Sequence, residues 1–187
     1  MKRTIMVVML LVSFIFMSTV FAYAKELAIE NNGFESTAGS REGEVFFGWN
    51  PYYGGETNAT IVTEKTAEGT RSLKLVGIED EYVGVRSVRF PIEPGKEYSI
   101  SLQTFIEDVE EPAYFEVHLE FWPVGYSGIS VKMRLDHLRL RGKGTGSWRT
   151  MSGKIKAPIF ADSASVFVFI SNSQGTVYVD DIDVTQK

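Results

Sequence analysis

Apolar and polar residues alternate along most of this chain, with the period of two that marks a half-buried strand. Segment 97–107, EYSISLQTFIE, places Tyr98, Ile100, Leu102 and Ile106 on one face. Segment 114–122, YFEVHLEFW, does the same with Phe115, Val117, Leu119 and Phe121, and 129–135, ISVKMRL, with Ile129, Val131, Met133 and Leu135. Segments 163–171 and 176–184 are rich in the Val, Ile, Phe and Tyr that suit a pleated surface. Shorter candidates are 27–30, 44–49, 59–65, 71–77, 83–92 and 148–157. Turn signals separate them, among them Asn32-Gly33, Gly54-Gly55, Glu68-Gly69, Pro94-Gly95 and Gln174-Gly175. No window carries apolar residues at helical spacing over three turns. The pattern predicts an all-β fold, an antiparallel β-sandwich, in one domain.

The first 24 residues follow a different rule. Lys2 and Arg3 precede an apolar run from Ile5 to Phe16, and Ala22-Tyr23-Ala24 forms a small-x-small cleavage site. The run is short for a membrane span, which needs about 20 apolar residues. It therefore reads as a cleaved signal peptide, residues 1–24, with the domain at 25–187 and no transmembrane segment in the mature protein. Export to the periplasm or the extracellular space follows. Removing Lys2 and Arg3 takes the formal charge from −5 to −7. That balance argues against nucleic-acid binding, which needs clustered cations. The chain has no Cys and two His, His118 and His137, which excludes a disulfide scaffold and a thiolate metal site.

Short motifs then fall in order: Asn31-Asn32-Gly33-Phe34-Glu35, Gly48-Trp49, Glu68-Gly69-Thr70-Arg71-Ser72-Leu73, Phe90-Pro91-Ile92 with Pro94-Gly95-Lys96-Glu97-Tyr98, Trp148-Arg149 and Val177-Tyr178-Val179-Asp180-Asp181-Ile182. Together they resemble the CenC-type carbohydrate-binding modules, the group of families four, nine and twenty-two, from about Leu27 to Val184. The resemblance implies a β-jelly roll and binding of an oligo- or polysaccharide. It also implies a structural calcium ion held by Glu35, Glu68 and Asp180 with the carbonyls of Gly33 and Arg71. Asp181 is the alternative to Asp180, because a one-residue slip turns a strand residue to the other face. Modules of this kind are usually appended to glycoside hydrolases. These residues hold no second domain, so the expectation is a module acting alone or one with a different ligand.

A sugar platform needs rings for C–H surfaces and polar groups for hydroxyls. The face of 114–122 opposite its apolar residues supplies Tyr114, Glu116, His118, Glu120 and Trp122. The corresponding face of 97–107 adds Gln103 and Phe105; Phe167, Phe169 and Tyr82 extend the set. Trp49 and Trp148 read as core or rim packing. Residues 132–149 carry six Lys or Arg against Asp136 alone, which reads as a solvated strand face or as a preference for acidic sugars or the cell envelope. Glu116 and Glu120 share a face about 13 Å apart along the strand, too far for a glycosidase pair, although cross-strand carboxylates are closer. The expectation is a non-catalytic binding module. The rivals are an envelope-structural or protein-interaction sandwich and, more weakly, a glycosidase. An aromatic face open to water favours sugar binding, and a covered face favours the protein-interaction reading.

Overall fold

A computed structural model describes residues 25–37, 41–109, 114–128, 130–144, 146–171 and 174–187. The signal peptide expected at 1–24 lies outside these residues. Twelve strands follow in order: β1 (Lys25–Glu26), β2 (Trp49–Tyr53), β3 (Ala59–Val62), β4 (Ser72–Gly77), β5 (Tyr82–Ser87), β6 (Phe90–Pro91), β7 (Glu97–Glu107), β8 (Tyr114–Pro123), β9 (Asp136–Gly142), β10 (Arg149–Lys156), β11 (Ala161–Ser171) and β12 (Gly175–Gln186). One sheet runs β10-β7-β12-β4-β3, with β1 also on β12. The other runs β2-β5-β11-β8-β9, with β6 also on β11. Every pairing is antiparallel. This is the expected all-β sandwich, with long-range antiparallel pairing between strands far apart in sequence.

The period of two decides what lies between the sheets. Tyr98, Ile100, Leu102 and Ile106 of β7 meet Phe115, Val117, Leu119 and Phe121 of β8, all at most 2% exposed. Val166, Val168 and Ile170 of β11 and Val177, Val179 and Val184 of β12 fill the same layer. Phe34, Phe46 and Trp49 close one end, with ring centroids 5.1 Å apart for Phe34–Trp49 and 6.0 Å for Phe34–Phe46. Truncating a fully buried ring such as Phe121 to Ala costs about 3–5 kcal/mol in transfer and cavity terms. Asn31 makes the closing loop possible. It adopts a left-handed φ of 53°, and its amide both donates to Ser36 O and accepts from Ser36 N at 2.8–3.0 Å.

Four elements differ from the sequence expectation. Candidate 44–49 joins a strand only at its last residue, Trp49, where β2 begins, apart from an isolated bridge at Phe46. Of the strand expected at 129–135, the described residues 130–135 form none; Val131–Met133 is a short 3₁₀ turn with its apolar side chains largely exposed. The strand comes directly after it. Leu138 and Leu140 of β9 pair with Leu119 and Val117 and pack against the core. Segment 129–135 offered an apolar face, but the core beside β8 was already filled by those two leucines. Candidate 27–30 is a loop, with pairing confined to Lys25–Glu26 against Thr185–Gln186. Candidate 83–92 divides into β5 and β6.

Candidate functional site

The outer face of the second sheet carries an unusual load. In register across it stand Asn50 and Tyr52 of β2, Gly84 and Arg86 of β5, Phe167 and Phe169 of β11, Glu116, His118 and Glu120 of β8, and His137, Arg139 and Arg141 of β9. Gly84 creates space: a Cβ there would stand 2.5 Å from Val168 O and 2.6 Å from the Phe169 Cβ. Phe167 and Phe169 therefore stack over the strand, centroids 4.5 Å apart and 16° from parallel.

Charge fills the middle of the face. Glu120, fully buried, accepts from Arg86 Nε at 2.8 Å and Arg134 Nη1 at 2.6 Å. Glu116, 1% exposed, accepts from Arg139, from Arg141 Nε at 2.9 Å and shares a 2.9 Å contact with His118 Nε2. His118 sits between the two acids, with Nδ1 4.0 Å from Glu120. Burial raises the Glu116 carboxyl, but hydrogen bonds from Arg139, Arg141 and His118 outweigh it and hold the group below its usual range. Burial keeps His118 below its ordinary value, against the pull of Glu116, and His137 is lowered by burial and by Arg134. A glycosidase acid must retain its proton near neutrality. Glu116 is driven the other way, and Glu120 is clamped between two guanidiniums. The arrangement suits counter-charge rather than proton transfer.

Three of the six cations of the run 132–149, Arg134, Arg139 and Arg141, pair with Glu116 and Glu120, while the Arg139 and Arg141 side chains stay about half exposed, as a solvated strand face has them.

Two regions of this face remain accessible. At one, Tyr53 is 66% exposed and Tyr82 37%, with ring centroids 5.5 Å apart at 34°. Tyr53 has a φ of 51°, a left-handed conformation that bulky residues rarely adopt and that costs of order 1–3 kcal/mol. The following Gly55 packs its helical turn (Gly55–Asn58) directly onto β5, where a Cβ would meet Gly84 O at 2.0 Å. Tyr52 and Phe169 continue the row, Tyr52 edge-on to Phe167 at 4.6 Å and Tyr82 beside Phe169 at 5.9 Å. Tyr114 packs near Phe169, with Arg141 over its ring at 4.0 Å.

The other accessible region is a cavity of about 660 Å³ by Trp122. Trp122 itself is fully buried and donates from Nε1 to Ser165 Oγ at 2.9 Å. The Arg89 guanidinium lies over its ring at 4.2 Å, and Tyr126 stacks at 6.1 Å and 27°. Trp122 is thus a floor under Arg89 and Tyr126, not the open stacking surface expected of it. The same holds for Glu116, His118, Glu120 and Phe169, each at most 8% exposed. The exposed residue of this set is Tyr82. Sequence reasoning missed Tyr53, Tyr126, Arg86 and Arg89; the Gly54-Gly55 pair after Tyr53 was the one visible signal.

Phe105 and Gln103 lie elsewhere. Both are on the outer face of the first sheet, where Gln103 bonds Thr150 and Phe105 packs beside Trp148, Tyr178 and Lys65.

The segments of the expected calcium site do meet. Asp180, 1% exposed, accepts from Ala67 N, Glu68 N and Asp181 N at 2.9–3.1 Å. Glu35 accepts from Thr70 N, Thr70 Oγ1 and Arg71 N at 2.7–3.0 Å, an approach that needs Gly69, where a Cβ would strike Glu35 Oε1. Gly33 lies against Asp180. A bulge between Asp180 and Asp183, with Asp181 at a φ of 50°, turns Asp180 toward this junction. Among the described residues no three acidic or imidazole side chains converge as a metal site, and Asp180 has no ion-pair partner. Burial and the neighbouring Asp181 push its carboxyl up against the hydrogen bonds that lower it. Asp180 is thus buried without a counter-cation among the described residues, with its oxygens turned to backbone N–H groups, and Glu35 likewise accepts N–H and hydroxyl donors.

Comparison with solved structures places the fold. The chain superposes on a family 4 carbohydrate-binding module (TM-score 0.55, 13% identity, 86% of this chain and all of that one). It superposes similarly on a family 61 module solved with β-1,4-galactotriose (TM-score 0.53, 16% identity, 86% and 99%). It also matches part of the enzymatically active domain of bacteriophage CBA120 tailspike protein 4 (TM-score 0.62, 11% identity), covering 86% of this chain but 21% of that chain. No family model and no curated protein matches. The fold is therefore the jelly roll shared by carbohydrate-binding modules. Among the described residues no helix is long and apolar enough to cross a membrane.

Proposed function

We propose that this is an exported, non-catalytic carbohydrate-binding module that holds an oligo- or polysaccharide on the outer face of its second sheet. The observation that carries the reading is the exposed Tyr53–Tyr82 pair, with Tyr53 in a left-handed backbone, continuous with Tyr52 and Phe169. Aromatic rings open to water at one end of a sheet face offer stacking surfaces at low conformational cost. The carbohydrate-binding modules among the structural neighbours support the same reading, including the family 61 module bound to a galactotriose. The ion-paired middle of the face holds the sheet rigid between its two accessible regions. Calcium is proposed as a structural ion, held by Asp180, Glu35, Glu68 and the Gly33 and Arg71 carbonyls, supplying the counter-charge that buried Asp180 lacks among the described residues.

A second reading, docking of a protein partner, is favoured by the burial of Trp122, Glu116, His118, Glu120 and Phe169 on the expected platform and by an exposed apolar tip. Val124, Ile159 and Phe160 are each about 70% exposed, and Val124 N donates to Phe160 O, so they form one apolar tip. A glycan array probed with the purified protein separates the two. Binding to a defined glycan, without release of reducing ends, is expected; no binding to any glycan would favour the docking reading.

A further inference from the structure

We infer that the glycan is acidic, and that the cavity beside Trp122 receives its carboxylate or sulfate group. The inference rests on the sugar-binding reading and names its ligand class.

The cavity of about 660 Å³ lies within the range of pockets that enclose a small ligand. Its wall holds two arginines, Arg86 and Arg89, together with Trp122, Tyr126, Asn50 and Asp162. Arg86 is nearly buried, its side chain 5% exposed, and among the described residues its carboxylate partner is Glu120. Glu120 is shared with Arg134, so one negative charge answers two positive ones. Arg86 Nη2 is buried with no hydrogen-bond partner among the described residues. A buried donor left unmade costs about 1–3 kcal/mol, which marks Arg86 as a cation short of acceptors on the cavity wall.

Arg89 is in a similar position. Its guanidinium donates to the main-chain carbonyls of Tyr126 and Gly128, which bear no formal charge. Among the described residues no carboxylate stands within ion-pair distance of it. Burial and repulsion from Arg86 both disfavour its charge. The wall also holds one acid, Asp162, already bonded by Ser163 Oγ at 2.9 Å and more weakly by Gly125 N at 3.4 Å. Arg86, Arg89 and Arg134 against Glu120 and Asp162 leave a positive excess in a chain whose net charge is −5. A guanidinium fork matches the planar geometry of a carboxylate and binds the oxygens of a sulfate equally well. Neutral sugars would leave that charge unanswered.

The test changes the ligand before the protein. Titration calorimetry on the purified protein would compare an oligogalacturonate, the same oligomer after carboxyl reduction, a sulfated galactan oligosaccharide and the neutral galactan oligosaccharide. At least one acidic member should bind about tenfold or more tighter than its neutral counterpart, and the difference should shrink with added salt. Preference for one acidic member identifies the anion. Ser127→Glu, an exposed substitution on the cavity wall, should weaken binding of the acidic oligomers at least tenfold more than binding of the neutral ones. Equal affinity for acidic and neutral oligomers would overturn the inference while leaving the sugar-binding reading intact. Acidic binding indifferent to Ser127→Glu would place the anion elsewhere. If the glycan array also finds no ligand, the sugar-binding reading itself has failed.

Discussion

Replacing Glu120 with Gln isolates the ion-paired middle of the outer face. The carboxylate is fully buried and bonded at 2.8 Å to Arg86 and 2.6 Å to Arg134. Gln keeps the shape and one acceptor but removes the charge. Arg86 then stays buried without a counter-ion, with its Nη2 already unpartnered. Breaking a buried pair by removing one partner costs about 3–5 kcal/mol, because the remaining charge is stranded. For a domain of this size each kcal/mol moves Tm by about 2–4 °C, so a fall of roughly 10 °C is expected. The assay is a thermal melt followed by circular dichroism. Glu120→Gln combined with Arg86→Met should recover part of the loss, since the stranded charge is gone. Glu120→Gln melting within about 1 °C of wild type would refute the account of Glu120 as counter-charge.

Acidification should destabilise the domain in two stages. Burial holds His118 and His137 below the ordinary 6.5, so the unfolded chain takes up protons first; stability is complete above about pH 6.5 and declines as pH falls below it. The groups facing this pair are Glu116, Glu120, Arg134 and Arg139, and Glu116, held below 4.5, adds a second loss as pH falls through its folded value. A Tm–pH series with His118→Gln/His137→Gln should lose the first stage and keep the second. Chelation should lower Tm, with calcium contributing about 2.7 kcal/mol at one hundred times Kd, and Glu35→Ala should abolish the response; indifference to both chelator and calcium would remove the ion. N-terminal sequencing of exported protein should begin at Lys25 or within a residue or two, and retention of Met1 would mean an anchored protein.

The core was legible because its code is local. Phe115, Val117, Leu119 and Phe121 alternate without interruption, and burial of every second residue follows from the pleat alone. The same alternation put Glu116, His118, Glu120 and Trp122 together on the opposite face, as the structure has them. Their burial was not legible, because it depends on partners from other elements: Arg86 on β5, Arg134 before β9, Arg139 and Arg141 on β9. None of these is near β8 in sequence in a way that alternation reveals. Strand β9 was misplaced for a related reason, since 129–135 and 136–142 both alternate and only the pairing of Leu138 with Leu119 chooses between them. Phe105 and Gln103 lie on an outward face, as alternation implies, but on the first sheet, because alternation does not say which sheet a strand joins. Tyr53 owes its exposure to a positive φ, which residue patterning does not encode.

The central claim is that sugar binding depends on rings open to water at one end of the second sheet. Calorimetric titration of the glycan identified on the array into wild type and Tyr53→Ala/Tyr82→Ala tests it most directly. Both residues are exposed, so the fold should survive, as an unchanged melt would verify. By analogy with aromatic anchors at interfaces, the loss should be about 2 kcal/mol or more, roughly thirtyfold in Kd. A double variant that folds normally and binds the glycan with wild-type affinity would contradict the account.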